Sequence, residues 1–427
     1  GTDESEVTHA SVSGELLGLN SCPNPDSAMA GFPCAQIRSD GKDEWHPDCA
    51  AIPDVSRLQP DEICRRIAAG GILGLGGALF PTAKKLCAGP PLRALIINGV
   101  ECEPYLSCDE ILMMQQPERV IAGTRIMMHA SGAPAAVIVV ETDMPDARVS
   151  LHKALDKAGI PDISIAVVTA KYPAGGERQL IELLTGREVP AGGLPRDIGY
   201  LCQNVGTAAA VADLFDRGRP LISRIVTVTG QGVSQPRNFD VRLGTPVADL
   251  IHAAGGPTRP DTRLIMGGPM MGVALNSDEL PVGKATNCVI VAAPDELAQP
   301  ADEYPCIRCA ECSEACPARL LPQSLLVACR NADIDAMAHL GLDACIECGC
   351  CDYVCPSHIN LTALFASAKH RLRDALQARE RARTARLRSQ ARDARLARQQ
   401  DHSDSASPQE DPSALIARLS GQQHDEH

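Results

Sequence analysis

Two kinds of apolar pattern alternate along this chain, and they predict different elements. "PDEICRRIAAGG", residues 60–71, places Ile63, Cys64 and Ile67 at helical spacing and stops at glycines, so a helix is expected there. Short continuous apolar runs follow: Leu95 to Ile97, "AAVIVVE" at 135–141 and "DISIAVV" at 162–168, the last leading through a glycine turn into the helical "ERQLIELLTG". Buried strands alternating with helices predict a parallel, helix-flanked sheet. Its polar loops, Asn98–Asp109, Tyr172–Glu177 and Asn204–Thr207, would gather at strand ends, where such sheets bind ligands.

The flanking segments read differently. "VTHASVSGELLGLN" and "FPCAQIRSDGKDEW" suggest strands around a turn, and Ser223 to about Ala293 alternates strand, helix and return strand as a small α+β unit does. In that unit "IMGGPMMG" is expected to be a close-packed turn with its methionine pair in the core. "LLPQSLLVACRNADIDAMAHLGLDA" predicts one connecting helix with Cys329 in its core. Beyond Leu361, Ala, Arg and Leu favour a long helix whose apolar positions are too sparse for a buried face, solvated or partly disordered. The last stretch, 402–427, is expected to be disordered. The resulting division is 1–56, 57–221, 222–296, 297–370 and 371–427. The chain opens at Gly1, mid-pattern, and a preceding piece is expected.

Composition narrows the function classes. At 427 residues, several domains of roughly 150 residues fit. No apolar run approaches the roughly 20 residues that span a bilayer. Net charge is −13, yet residues 366–398 carry +8 and the remainder −21. That basic stretch has no aromatic residue to stack on bases, so a nucleic-acid partner is not expected. Its competing reading is a docking arm for an acidic membrane surface or a partner subunit.

Eight of the nineteen cysteines carry the strongest chemistry. "CIRCAECSEACP" holds Cys306, Cys309, Cys312 and Cys316; "CIECGCCDYVCP" holds Cys345, Cys348, Cys351 and Cys355. Both read C-x2-C-x2-C-x3-C-P, the spacing with which three thiolates wrap one [4Fe–4S] cluster while the fourth, opening a helix, reaches its partner cluster. Cys306, Cys309, Cys312 and Cys355 are thereby assigned to one cluster, and Cys345, Cys348, Cys351 and Cys316 to the other. Zinc is the competing ligand, but its sites require neither the third cysteine nor the C-P ending. Cys350 reads as a packing residue, and Cys22, Cys34, Cys49 and Cys64 as ordinary thiols. Such usage favours a reducing compartment.

"GGILGLGGALFPTAKKL", residues 70–86, is the second candidate site. It lacks the last glycine and the preceding strand of a dinucleotide fingerprint, and the spacing of a triphosphate P-loop. What remains is a glycine turn between two helices, the second opened by Pro81–Thr82. Backbone N–H groups there, with Lys84 or Lys85, form a phosphate cradle; a plain inter-helix turn is the alternative. No Ser/His/Asp constellation is present, and no catalytic acid, base or nucleophile is assigned.

The series "GLGGALFPTAKKL", "NGVECEP", "YPAGGE" and "QNVGT" resembles, in order, the flavin- and NADH-binding subunit of respiratory complex I. With the paired cysteine motifs it resembles more closely the C subunit of Rnf-type electron transport complexes, over roughly residues 8–370. The resemblance implies an α/β and α+β multidomain fold: a partial barrel-sandwich, a Rossmann-like flavin domain, a β-grasp (SLBB-type) domain serving as a spacer, and an α-helical two-cluster ferredoxin domain. Carried over by position, Gly74, Gly76, Gly77 and Lys85 would hold the phosphate of FMN. Asn98, Glu101, Asn204 and Thr207 would hold its ribityl chain and ring, and Phe80, Glu103, Gly176 and Glu177 would face NAD(H). The chain departs from the complex I pattern at Leu75, Leu79 and Val100, which stand for arginine, glycine and aspartate. The implied function is NAD:ferredoxin oxidoreduction in an ion-translocating complex, as a peripheral subunit on the cytoplasmic side of a bacterial inner membrane. Its partners would be other subunits, one of them iron–sulfur, and indirectly ferredoxin. The alternative is a non-catalytic iron–sulfur adaptor without a functional flavin site.

Overall fold

A computed structural model describes residues 7–22, 31–52, 54–87, 89–190, 192–297, 301–404 and 411–420. The chain begins with an antiparallel hairpin, β1 (Gly14–Cys22) and β2 (Phe32–Ser39). Cys34 stands opposite Asn20 and Cys22 opposite Phe32, so the two cysteines are diagonal neighbours on one face. They form a disulfide, which corrects their reading as ordinary thiols. Trp45 beyond the hairpin is covered by two guanidinium groups, Arg219 at 4.7 Å and Arg242 at 5.7 Å from its ring.

An α/β unit follows. Helix α1 (Pro60–Ala69) buries Ile63, Cys64 and Ile67 and ends at the glycine run. After the loop comes α2 (Thr82–Leu86), then β3 (Ala94–Asn98), α3 (Cys108–Gln115), α4 (Pro117–Ser131), β4 (Ala136–Glu141), α5 (Pro145–Ala158), β5 (Ile163–Val168), α6 (Glu177–Thr185), β6 (Tyr200–Asn204) and α7 (Val205–Arg217). The expected parallel sheet is present, in the order β5-β4-β3-β6. Period-two alternation splits β3 between two cores. Leu95 and Ile97 join Ile63, Ile138 and Phe215 on one face, whereas Ile96 joins Val139, Val168 and Leu180 on the other. Cys64 and Cys87 form a second disulfide and close the base of the glycine segment, again against the expectation for Cys64. Their 23-residue separation in sequence gives no sign of it, because the chain must fold back first.

The next unit contains β7 (Ser223–Thr229), β8 (Arg237–Arg242), α8 (Val247–Ala253), β9 (Arg263–Met266), β10 (Val273–Leu275) and β11 (Cys288–Ala292). Its mixed sheet runs β10-β9-β11-β7-β8 around Val226, Val228, Leu250, Val289 and Val291.

The cysteine segment is helical: α9 (Glu311–Glu314), α10 (Pro322–Arg330), α11 (Ile334–His339), α12 (Cys350–Tyr353) and the 44-residue α13 (Leu361–Asp404). The connecting segment is two helices rather than one, because Ala332 adopts a positive φ and Asp333 caps a new helix starting at Ile334, accepting from Ala336 N–H. Cys329 is in the core, as expected. Cys316 and Cys355 do not open helices; each helix begins several residues later, at Pro322 and Leu361. The first turns of α13 do have a buried face, Leu361, Phe365, Ala368 and Leu372. Further on it is exposed, through arginines that include Arg381, Arg388 and Arg395. Of the terminal segment expected to be disordered, Pro412–Ser420 forms α14; residues 405–410 and 421–427 lie outside the described residues. Among the described residues no helix is long and apolar enough to cross a membrane.

Candidate functional site

β3 and β6 lie side by side and run in the same direction, so their last residues, Asn98 and Asn204, are register partners. The chain leaves β3 toward β4 on one side and returns to β6 on the other, which opens a crevice between the two strand ends. The glycine loop lies over it. Leu75 N–H donates to Thr207 Oγ1 at 2.9 Å, and a Cβ on Gly76 would sit 3.3 Å from Asn204 Cβ. Asn204 caps α7, its Oδ1 accepting from Gly206 at 2.8 Å and Thr207 at 3.4 Å, while its Nδ2 donates to Asp109 at 2.6 Å. Asn98 bridges to the neighbouring loop, donating to the Gly175 carbonyl at 2.9 Å and accepting from Val100 N–H.

The loop's own geometry suits an anion. Gly74 and Leu79 amides bond within the loop, whereas the exposed amides of Gly76, Gly77 and Ala78 have no protein acceptor among the described residues. Gly77 has φ +104° and nothing within 4 Å of where a side chain would begin. Three consecutive free N–H groups beside such a space fit a phosphate. Leu79, at φ +50°, occupies the left-handed region that favours glycine. Thr82 Oγ1 and Gln203 Nε2 are buried nearby in sequence without partners, leaving two further donors unspent.

Other expected contacts are already engaged. Lys85 Nζ pairs with Glu177 at 2.8 Å, at the start of α6, whose N-cap is Gly176. The half-buried Glu101 carboxyl group caps α3, accepting from Asp109 and Glu110 amides at 3.0–3.1 Å and from the Cys108 thiol. Burial and the neighbouring Asp109 push its protonation upward. Glu103 is held by the Met270 and Met271 amides at 2.7 and 2.9 Å. Phe80 stands exposed. The structure therefore gathers the glycine loop, Asn98, Asn204 and Thr207 in one place, Lys85 with Glu177 in a second, and Glu103 on the neighbouring unit's turn.

Several participants escaped the sequence reading. The methionine pair is not core: Met271 is exposed, and both residues act through backbone amides. The close packing of that turn is real, since a Cβ on Gly268 would fall 1.9 Å from Glu103 Cγ. Glu141, the last residue of β4, accepts from Glu101 N–H at 3.0 Å, and its other oxygen is buried without a partner. Burial raises its pKa to about 7. Arg224 on β7 reaches across to donate to the Leu75 carbonyl. Met270, Met271, Glu141 and Arg224 lie outside the polar loops named from the sequence, and no local pattern marked these roles.

One cysteine set lines a common space, and most of the other lies close together. A pocket is lined by Cys306, Cys309, Cys312 and Cys355, with Gln323, Leu326 and Ile359 between them. Cys350 lies beside Cys348 and Cys316, and Cys345 beside Cys348 and Cys351. Among the described residues no three such side chains converge on a single-ion point. Thiolates that each bind a different iron of a cubic cluster need only surround it. The donor set fits that group.

Asn204→Ala removes a cap worth about 1 kcal/mol and leaves the partly buried Asp109 without its amide partner, for a further cost of about 1–3 kcal/mol. Urea denaturation at neutral pH should therefore show a loss of about 2–4 kcal/mol; an unchanged midpoint would mean that the cap is dispensable.

Residues 67–213 match the family model of the Nuo51 FMN-binding domain, and residues 225–274 that of the SLBB domain. The chain is 43% identical over 403 residues to the C subunit of the ion-translocating oxidoreductase complex of Pseudomonas aeruginosa, covering 93% of this chain and 51% of that protein. To the protein of the same name in Haemophilus influenzae (strain PittEE) it is 40% identical over 395 residues, covering 92% and 60%. It thus spans about half the length of these curated relatives. A solved NAD+-reducing [NiFe]-hydrogenase in its H2-reduced state shares the fold, with a TM-score of 0.50 and 22% identity over 77% of this chain and 61% of that one. The glycine loop over the β3/β6 crevice, the SLBB unit behind it and the paired cysteine sets agree with these matches: the chain belongs to the family formed by the C subunits of ion-translocating oxidoreductase complexes.

Proposed function

We propose that this chain exchanges hydride between NAD(H) and an FMN held over the β3/β6 crevice, and relays single electrons through two [4Fe–4S] clusters. In this reading it is the peripheral, cytoplasmic-side subunit of a membrane-bound NAD:ferredoxin oxidoreductase whose partner subunits, one of them iron–sulfur, couple the flow to ion translocation. The observation that supports it most is the convergence of the glycine loop, Asn98 and Asn204 on one crevice, in a chain where Cys306, Cys309, Cys312 and Cys355 also line one pocket.

The chain's own residues bind and orient. The free amides at Gly76–Ala78 receive the phosphate, Thr207 fixes the loop through Leu75, and Asn98 and Asn204 set the crevice width. Lys85 and Glu177 stand at the mouth as a pair, and Phe80, Glu103 and Gly176 flank the space assigned to nicotinamide dinucleotide. Bound flavin supplies what no side chain here can, the conversion of an electron pair into single electrons.

The test is spectroscopic. Anaerobically purified protein is expected to hold about eight irons and one acid-releasable FMN whose absorption bleaches on addition of NADH. The adaptor alternative draws on the internal pairing of Lys85 with Glu177 and of Asn204 with Asp109. Brown, iron-loaded protein with no affinity for FMN would select it.

A further inference from the structure

The two cysteine sets differ in what they touch. The Cys345–Cys351 loop is fastened to the α/β unit. Tyr172, from the loop between β5 and α6, donates its hydroxyl to the Cys348 carbonyl at 2.6 Å. Gly349 packs on the Met270 turn, where an added Cβ would lie 3.0 Å from the Met270 carbonyl. That same turn holds Glu103 through its amides. Arg319, three residues after Cys316, pairs with Glu182 on α6. Cys348 is buried in consequence. At the other set, Cys306 and Cys309 are exposed, and Tyr304 and Ile307 beside them are 59% and 68% exposed. Among the described residues, the bonds that brace this segment stay within its own module, from Tyr304 N–H to the Ser357 carbonyl and from Ser357 Oγ to the Pro305 carbonyl.

We propose that Cys345, Cys348, Cys351 and Cys316 form the entry set of the electron path and Cys306, Cys309, Cys312 and Cys355 the exit set, with Tyr172 the positioning residue that clamps the entry loop to the α/β unit. The inference rests on the function proposed above and adds a direction to it. One NADH leaves as NAD+, releasing one proton to solvent and two electrons. Each electron crosses the entry set, then the exit set, and leaves to a one-electron iron–sulfur acceptor, so both sets return to their starting state after each passage. Tyr172 neither gains nor loses a proton. The exposed Ile307 and Tyr304 beside the exit thiolates mark where that acceptor approaches.

The test uses the full chain reconstituted anaerobically with iron, sulfide and FMN. Cys309→Ala should retain about half the iron, and NADH should still reduce the remaining cluster at the wild-type rate, read by freeze-quench EPR. Cys348→Ala should also retain half, but its remaining cluster should be reduced by NADH at least tenfold more slowly, while the flavin still bleaches and dithionite still reduces the iron. The reverse pattern overturns the order. Should either variant lose all its iron, Tyr172→Phe decides. Amide exchange at 345–351 should rise at least threefold with 306–312 unchanged; equal or opposite changes overturn the clamp. Wild-type protein whose flavin does not bleach with NADH refutes the function proposed above instead, and the exchange measurement then still judges the clamp.

Discussion

Gly123→Ala is expected to destabilise the α/β unit more than any other single-methyl change in it. A Cβ at this point of α4 would lie 1.7 Å from the Ala208 carbonyl oxygen and 3.0 Å from its Cα, on α7. Those are backbone atoms, which cannot rotate aside, so the two helices must separate. Both carry the main core, through Val120, Ile121 and Met127 on α4 and Val205, Val211 and Phe215 on α7. Parting them costs about 3 kcal/mol or more, the upper end of overpacking penalties. A thermal midpoint lowered by about 6–12 °C follows for a unit of this size. The shift also reaches the site, because α7 begins at the Asn204 cap and holds the glycine loop through Thr207. FMN retention should fall together with stability. Gly132→Ala on the same helix is the control: its left-handed cap conformation is strained by a side chain, yet nothing lies within 4 Å, so about 1 kcal/mol is expected. Equal losses in the two variants would mean that the helices do not approach so closely.

The second large effect is a pH dependence of unusual sign. Most carboxylates stabilise a fold when ionised, but Glu141 and Glu101 are raised chiefly by burial, Glu141 to about 7. In the folded chain they hold protons that the unfolded chain releases near pH 4.5, so their contribution is full below that value and is lost as pH rises through the folded pKa. Asp143 and Glu110 add to the shift of Glu141, and Asp109 to that of Glu101; the amides bonded to each carboxylate oppose it. Glu141 alone accounts for about 3 kcal/mol between pH 4.5 and 7, and Glu101 extends the decline to higher pH. Urea denaturation at pH 5.5, 7 and 8.5 should show falling stability, and Glu141→Gln should flatten much of the slope. Stability that rises across this range would mean that both groups are ionised inside the fold.

How much of this was legible in the sequence depended on the range of the interaction that decides each feature. Local pattern sufficed for β3, β4, β5, α1 and α6, because a four-to-six-residue apolar run or a helical stripe has one stable way to be buried. It also sufficed to place Cys306, Cys309 and Cys312 around one pocket, since x2 spacing confines three thiols to one loop. It did not suffice for the disulfides at Cys22–Cys34 and Cys64–Cys87, which needed hairpin register and a chain reversal to bring the sulfurs together. Nor did it show the break at Ala332, where one residue's positive φ divides a helix that apolar spacing alone would continue.

The site divides in the same way. The sequence by itself determined which residue types were available: glycines able to turn φ positive, amides at strand ends, and eight thiols at cluster spacing. Tertiary structure alone decided which of them are spent and which remain open. Glu101 became a helix cap, Lys85 an ion-pair partner, Glu103 an anchor for the Met270 turn, and Tyr172 a clamp on the Cys348 loop. The physical reason is that, apart from the Glu101 cap nine residues along the chain, these hydrogen bonds are settled between segments 77 to 176 residues apart, and no local pattern encodes which distant partner arrives.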